Sequence, residues 1–117
     1  MHTTGRERRL HRRVPLGVRC WCDGQGVTLY VSIVNANPGG LFVRTYTPFP
    51  PGDRISVRWK FPGGEQEHHV AAVVVWRRDD DFPPGGSNAQ RPPGMGLKFL
   101  DLPELTRSEL EKLEEAR

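Results

Sequence analysis

Long apolar runs are missing from this 117-residue chain. The longest, VAAVVVW at 70–76, is far below the ~20 residues a membrane-spanning helix needs. No apolar core of a secretory leader stands near the N-terminus. Both absences predict a soluble protein of the cytoplasm, without membrane insertion. Cysteine is equally scarce, with Cys20 and Cys22 as the only two. On a strand they share a face with Val14, Leu16 and Val18, which predicts buried free thiols in a reducing compartment. A zinc site needs two further ligands, and adjacent His68 and His69 point to opposite faces of a strand. No metal is expected.

Catalytic signatures are lacking too. Ser32, Ser56, Ser87 and Ser108 lie in no nucleophile motif, and no glycine loop ends in lysine and serine or threonine. Asp79, Asp80 and Asp81 stand together without calcium-loop spacing. The expected class is a binding module, not an enzyme.

What the chain does have is unevenly placed charge. The net charge is only +3, yet residues 6–19 carry six arginines against one acid, Glu7. From Glu104 onward there are five glutamates against three bases. Such an arm suits an anionic partner, or is a solvated, frayed end.

Between these ends, apolar and polar residues alternate. In RISVRWKF (54–61), Ile55, Val57, Trp59 and Phe61 face one way while Arg54, Ser56, Arg58 and Lys60 face the other. VTLYVSIV (27–34) repeats the pattern with Val27, Leu29, Val31 and Ile33. VPLGVRCWC, GLFVRTY (40–46), HVAAVVVWRR (69–78) and GMGLKFLDL (94–102) complete six strands. DGQG, NPGG, PFPPGD and FPGGEQE supply turns. DDDFPPGGSNAQRPPG (79–94) is predicted to be an exposed, mobile loop. In LTRSELEKLEEAR, Thr106 fits an N-cap with Glu109 three residues on, Leu105 and Leu110 fit a hydrophobic staple, and Leu110 and Leu113 form an apolar stripe. The prediction is all-β with one C-terminal helix: a small six-stranded antiparallel β-barrel, closed because closure removes exposed edges. Residues 1–13 form a basic arm, 14–103 the barrel and 104–117 the helix packed on it.

Two stretches stand out. Arg9 and Arg13 lie four apart, about 13 Å between Cα atoms if extended. Two such side chains can flank a flat, anionic ligand of nucleotide size, because guanidinium groups grip phosphates and guanine edges and stack on bases. In NANPGGLFV (35–43), two asparagines at alternate positions carry both donor and acceptor for base edges, and glycine allows close approach. The same stretch also reads as a plain hairpin turn.

Taken together, Arg9-Leu-His-Arg-Arg13, Asn35-Ala-Asn37-Pro-Gly-Gly40 and GMGLKF, in that order, resemble the PilZ domain, the bacterial receptor module for cyclic di-GMP. The first matches the family's RxxxR motif and the second its (D/N)xSxxG motif; VVVWRR resembles its penultimate strand. The resemblance covers about residues 6–102. It implies a six-stranded barrel with a C-terminal helix, and no cofactor beyond the ligand. It implies that Arg9 and Arg13 hold guanine edges and phosphates, and that Asn35, Asn37 and Gly40 hold the other guanine. Arg8, ahead of RxxxR, implies an intercalated pair of ligand molecules. The implied role is a receptor that changes conformation on binding and signals to a protein partner in motility, biofilm or polysaccharide control. One departure bears on this: Asn37 stands where the family has serine. The alternative is therefore a degenerate PilZ domain that binds a protein without the nucleotide. General nucleic-acid binding is not expected, because no cold-shock-like aromatic signature is present and Trp59 and Phe61 fit core packing.

Overall fold

Alternation places one row of side chains per strand inside, and six such rows close on one another. The computed structural model describes residues 13–79 and 92–115. It contains β1 (Val14–Gly24), β2 (Val27–Asn37), β3 (Gly40–Arg44), β4 (Arg54–Lys60), β5 (Glu67–Arg78), β6 (Gly94–Asp101) and a helix, α1 (Glu104–Glu115). The strands form a closed barrel in the order β1-β2-β3-β6-β5-β4, with β4 returning to β1 and every pairing antiparallel. This is the predicted architecture. The basic arm before Arg13 and most of the proline-rich loop, residues 80–91, lie outside the described residues.

The core comes from the inward rows. Ile33, Leu41, Val43, Val57, Trp59, Val70, Val74, Met95 and Leu97 are all buried. Ile55 and Phe61 join them, so the 54–61 alternation faces as predicted. Cys20 and Cys22 are fully buried free thiols with sulfurs 3.8 Å apart. That contact, and then burial, push the Cys20 thiol pKa upward, which keeps the sulfur protonated and unreactive.

Two of the barrel's register irregularities redirect side chains toward one outer face. Ile33 pairs with Val43 and Asn35 with Phe42, leaving Val34 unpaired between them. On β5, Val74 pairs with Leu97 and Trp76 with Gly96, so Val75 is the extra residue. Each bulge moves the following side chain to the opposite face. Asn35 and Trp76, inward by simple parity, turn outward.

The helix starts earlier than predicted. Arg107 N–H donates to the Pro103 carbonyl at 2.9 Å, so Thr106 lies inside the first turn and is not the N-cap. Its Oγ1 instead bonds Nδ1 of buried His68 at 2.8 Å. A tertiary hydrogen bond has taken the hydroxyl that local capping would have used. Leu105, predicted to staple the helix start, is half exposed. Leu110 is buried and Leu113 packs beside it on the core, which fixes α1 to the barrel.

Candidate functional site

The outward turn made by the bulge at Val34 brings Asn35 to Arg13. Arg13 Nη1 donates to Asn35 Oδ1 at 2.9 Å, joining residues 22 apart in sequence. Partial burial draws the Arg13 pKa below its ordinary value. An arginine pKa starts so high that the group stays cationic at neutral pH.

The bulge at Val75 supplies the opposite wall. Trp76 stacks on Phe42 with ring centroids 5.2 Å apart and planes 17° apart. The guanidinium of Arg78 lies 5.2 Å from the Trp76 ring centre and 5.7 Å from that of Phe42. Arg78 Nη1 donates to the Pro92 carbonyl at 2.9 Å, which fixes the guanidinium there. Arg13, Asn35, Phe42, Trp76, Arg78 and Pro92 line a cavity of about 440 Å3. Two guanidinium groups and an indole around one opening suit a ligand that is flat, aromatic and anionic.

Strand β6 makes room for the rings. Gly96 pairs with Trp76, and a Cβ there would stand 2.2 Å from the indole Nε1. A Cβ on Gly94 would meet the Val43 carbonyl oxygen at 2.1 Å and the Phe42 ring at 2.9 Å. The two glycines of GMG thus let the aromatic side chains lie flat on the sheet.

The remaining sequence-predicted residues are placed differently. Asn37 Oδ1 accepts the N–H groups of Gly39 at 2.8 Å and Gly40 at 3.1 Å, closing the β2–β3 turn. Gly40 packs against β6, where a Cβ would stand 2.0 Å from the Leu97 carbonyl oxygen. Both lie in the turn beyond the cavity, whose described walls do not include them. Arg8 and Arg9 fall outside the described residues. Sequence reasoning missed Phe42, Trp76 and Arg78. The available signal was the unbroken apolar run VVVW, which departs from alternation where the bulge lies.

The sequence model of the PilZ domain matches residues 7–116. The chain belongs to the PilZ family. None of the curated proteins compared matches it. Among solved structures, the PilZ chain is similar to the Bacillus subtilis inhibitor of motility MotI/DgrA, with a TM-score of 0.70 and 14% identity over 87% of this chain. It covers 46% of that structure, less than half its length. It is also similar to the PilZ domain of Escherichia coli YcgR, solved with c-di-GMP, at a TM-score of 0.66 and 17% identity over 91% of both chains. At these identities the likeness is one of fold. Among the described residues, no helix is long and apolar enough to cross a membrane, and no group of three or more His, Cys, Asp or Glu side chains could hold a metal.

Proposed function

We propose that this PilZ domain is a cyclic di-GMP receptor whose ligand occupies the cavity between Arg13 and Trp76. The observation that carries the reading is the Arg13–Asn35 hydrogen bond at the mouth of a cavity walled by Phe42, Trp76 and Arg78. The ligand offers two guanines and two phosphates. Arg13 supplies donors for phosphate oxygens or a guanine O6/N7 edge, and Asn35 supplies an amide for a base edge. Trp76 and Arg78 offer faces on which a guanine stacks. Arg8 and Arg9 add charge from the arm, and Arg8 extends the site to an intercalated pair of ligands. Support also comes from YcgR, whose PilZ domain was solved with this nucleotide.

Binding would change the conformation of the domain and create a surface for a protein partner. The partner acts in control of motility, biofilm or polysaccharide, with the likeness to an inhibitor of motility favouring the first. The work is done in the cytoplasm by binding, without catalysis. The adaptor alternative rests on Asn37. Its carbonyl oxygen performs a turn-closing task that a serine oxygen also performs, which favours the receptor reading.

Calorimetric titration with cyclic di-GMP tests the proposal. Heat should appear with wild type, and Arg13→Ala should weaken binding roughly ten- to hundredfold, the loss of a contact of ~1–3 kcal/mol. No heat at tens of micromolar ligand overturns the receptor reading. Equal affinities for the two proteins overturn the role of Arg13.

A further inference from the structure

A second cluster occupies the outer face of β1, β2 and β4, and the nucleotide reading makes no use of it. Tyr30, Trp21 and Arg58 are cross-strand neighbours in one row. Trp21 is 40% exposed and Tyr30 52%, with ring centroids 4.4 Å apart. Arg19 lies 5.2 Å from the Tyr30 ring centre, and Arg58 lies 5.6 Å from that of Trp21. The next row sets Ser32 between Arg19 and Arg44. Beside these rows runs a cleft of about 630 Å3, lined by Arg19, Tyr30, Ser32, Arg44 and Tyr46 together with threonines. No acidic side chain is among the described residues of its wall. Arg58, by contrast, meets Asp23 at 3.4 Å and Glu67 at 3.7 Å.

We propose that this cleft and its aromatic shoulder dock an extended acidic segment of a partner protein. Charge complementarity selects the occupant. Arg19 and Arg44 flank a groove of hydroxyls and tyrosines, where carboxylates find donors with fixed fork geometry. Trp21 and Tyr30 offer amphipathic area for apolar residues between the acids, and rings of this kind anchor interfaces. The barrel is closed, so the sheet has no open edge to which a partner could add a strand. Recognition must run through side chains. A single-stranded nucleic acid fits less well, because its successive bases need a series of separate ring faces along the strand. Here the two rings contact each other, and each also carries a guanidinium.

The surface adjoins the nucleotide cavity. Tyr30, Ser32 and Asn35 share β2, while Phe42 and Arg44 share β3. The inference nonetheless stands on its own residues and does not need the nucleotide to bind.

The test is amide and indole chemical-shift mapping on the full chain. The probe is a short synthetic peptide alternating glutamate with leucine, with its lysine counterpart and oligothymidine as controls. The glutamate peptide should shift Arg19, Tyr30, Arg44 and the Trp21 indole, and added salt should weaken it. Arg19→Glu with Arg44→Glu should weaken binding at least about tenfold. Both residues are exposed, so the barrel should tolerate the change. Arg54→Glu reverses one charge, half the change of the double variant, at an exposed position outside the cleft and should stay within about threefold of wild type. The proposal is overturned if the peptide fails to bind at low salt, if the shifts centre elsewhere, if Arg54→Glu weakens binding as much as the double change, or if oligothymidine binds the same residues more tightly. Cyclic di-GMP, titrated separately, reports at Arg13 and Asn35, so failure of one reading is distinguishable from failure of the other.

Discussion

The Trp76 indole lies flat over the bare α-carbon of Gly96, where a Cβ would stand 2.2 Å from Nε1. The two residues are cross-strand partners only because Val75 bulges out of β5. A bulge aims the ring outward, a missing side chain gives it a floor, and Phe42 and Arg78 contact it while part of the indole stays exposed. The cavity wall depends on all three.

Gly96→Ala should therefore overpack the outer face. Such strain costs about 1–3 kcal/mol. The melting temperature should fall, and cyclic di-GMP binding should weaken as the indole is pushed from its place. A double-mutant cycle checks the cause. Once Trp76 is alanine, adding Gly96→Ala should cost little more, because the clashing ring is gone. Additive losses would show that the glycine serves another neighbour.

Gly40→Ala should act on the barrel itself. Its Cβ would stand 2.0 Å from the Leu97 carbonyl oxygen, a backbone atom that cannot swing aside. Strands β3 and β6 must separate to admit it. The loss in urea denaturation should match or exceed the ~3 kcal/mol upper range of ordinary overpacking. Nucleotide binding should disappear only together with the fold. A stable Gly40→Ala protein that has lost binding would make Gly40 a ligand contact.

These two glycines also show what the sequence disclosed and what it hid. Six strands and most of their inward rows could be read from alternation alone, as at Ile55, Val57 and Trp59, because one face of each strand must leave water; Val27, expected inward, is 47% exposed where β2 leaves its turn. The turn around Asn37 was legible from its asparagine and glycines. The side on which Asn35 and Trp76 emerge was not, since each depends on a bulge set by pairing with another strand. The meeting of Arg13 with Asn35 likewise depends on β1–β2 register. Thr106 misled for a related reason. Its local pattern fits a cap, but His68, 38 residues earlier, claims the hydroxyl.

That His68–Thr106 contact predicts a pH dependence. Burial lowers the His68 pKa, and the carboxylate of Glu109 pulls it partly back. The unfolded chain, at about 6.5, then takes up the proton before the folded one does. The stability contributed by neutral His68 is fully present above that unfolded value and is lost as pH falls below it toward the lowered folded value. From about pH 7.5 to about pH 5, wild type should lose more melting temperature than His68→Gln, which cannot titrate. Parallel curves would remove His68 as the cause. Thr106→Val at neutral pH should cost about 1–3 kcal/mol by leaving the buried ring nitrogen unpaired.

Asn37 gives the sharpest separation between receptor and adaptor. Its Oδ1 holds the Gly39 and Gly40 N–H groups, and a serine Oγ can accept from the same turn. If that is its task, Asn37→Ser should leave cyclic di-GMP affinity within about threefold, well under the 1.4 kcal/mol of a tenfold change. Asn37→Ala removes the acceptor and should loosen the turn, costing about 1–2 kcal/mol of stability. Calorimetry on both, beside thermal melts, separates the cases. Should wild type fail to bind while Asn37→Ser binds, the asparagine blocks the ligand and the chain is an adaptor. Should both bind alike, the departure at Asn37 is a second chemical solution to the same turn, and the specificity of the site lies with Arg13, Asn35 and Trp76.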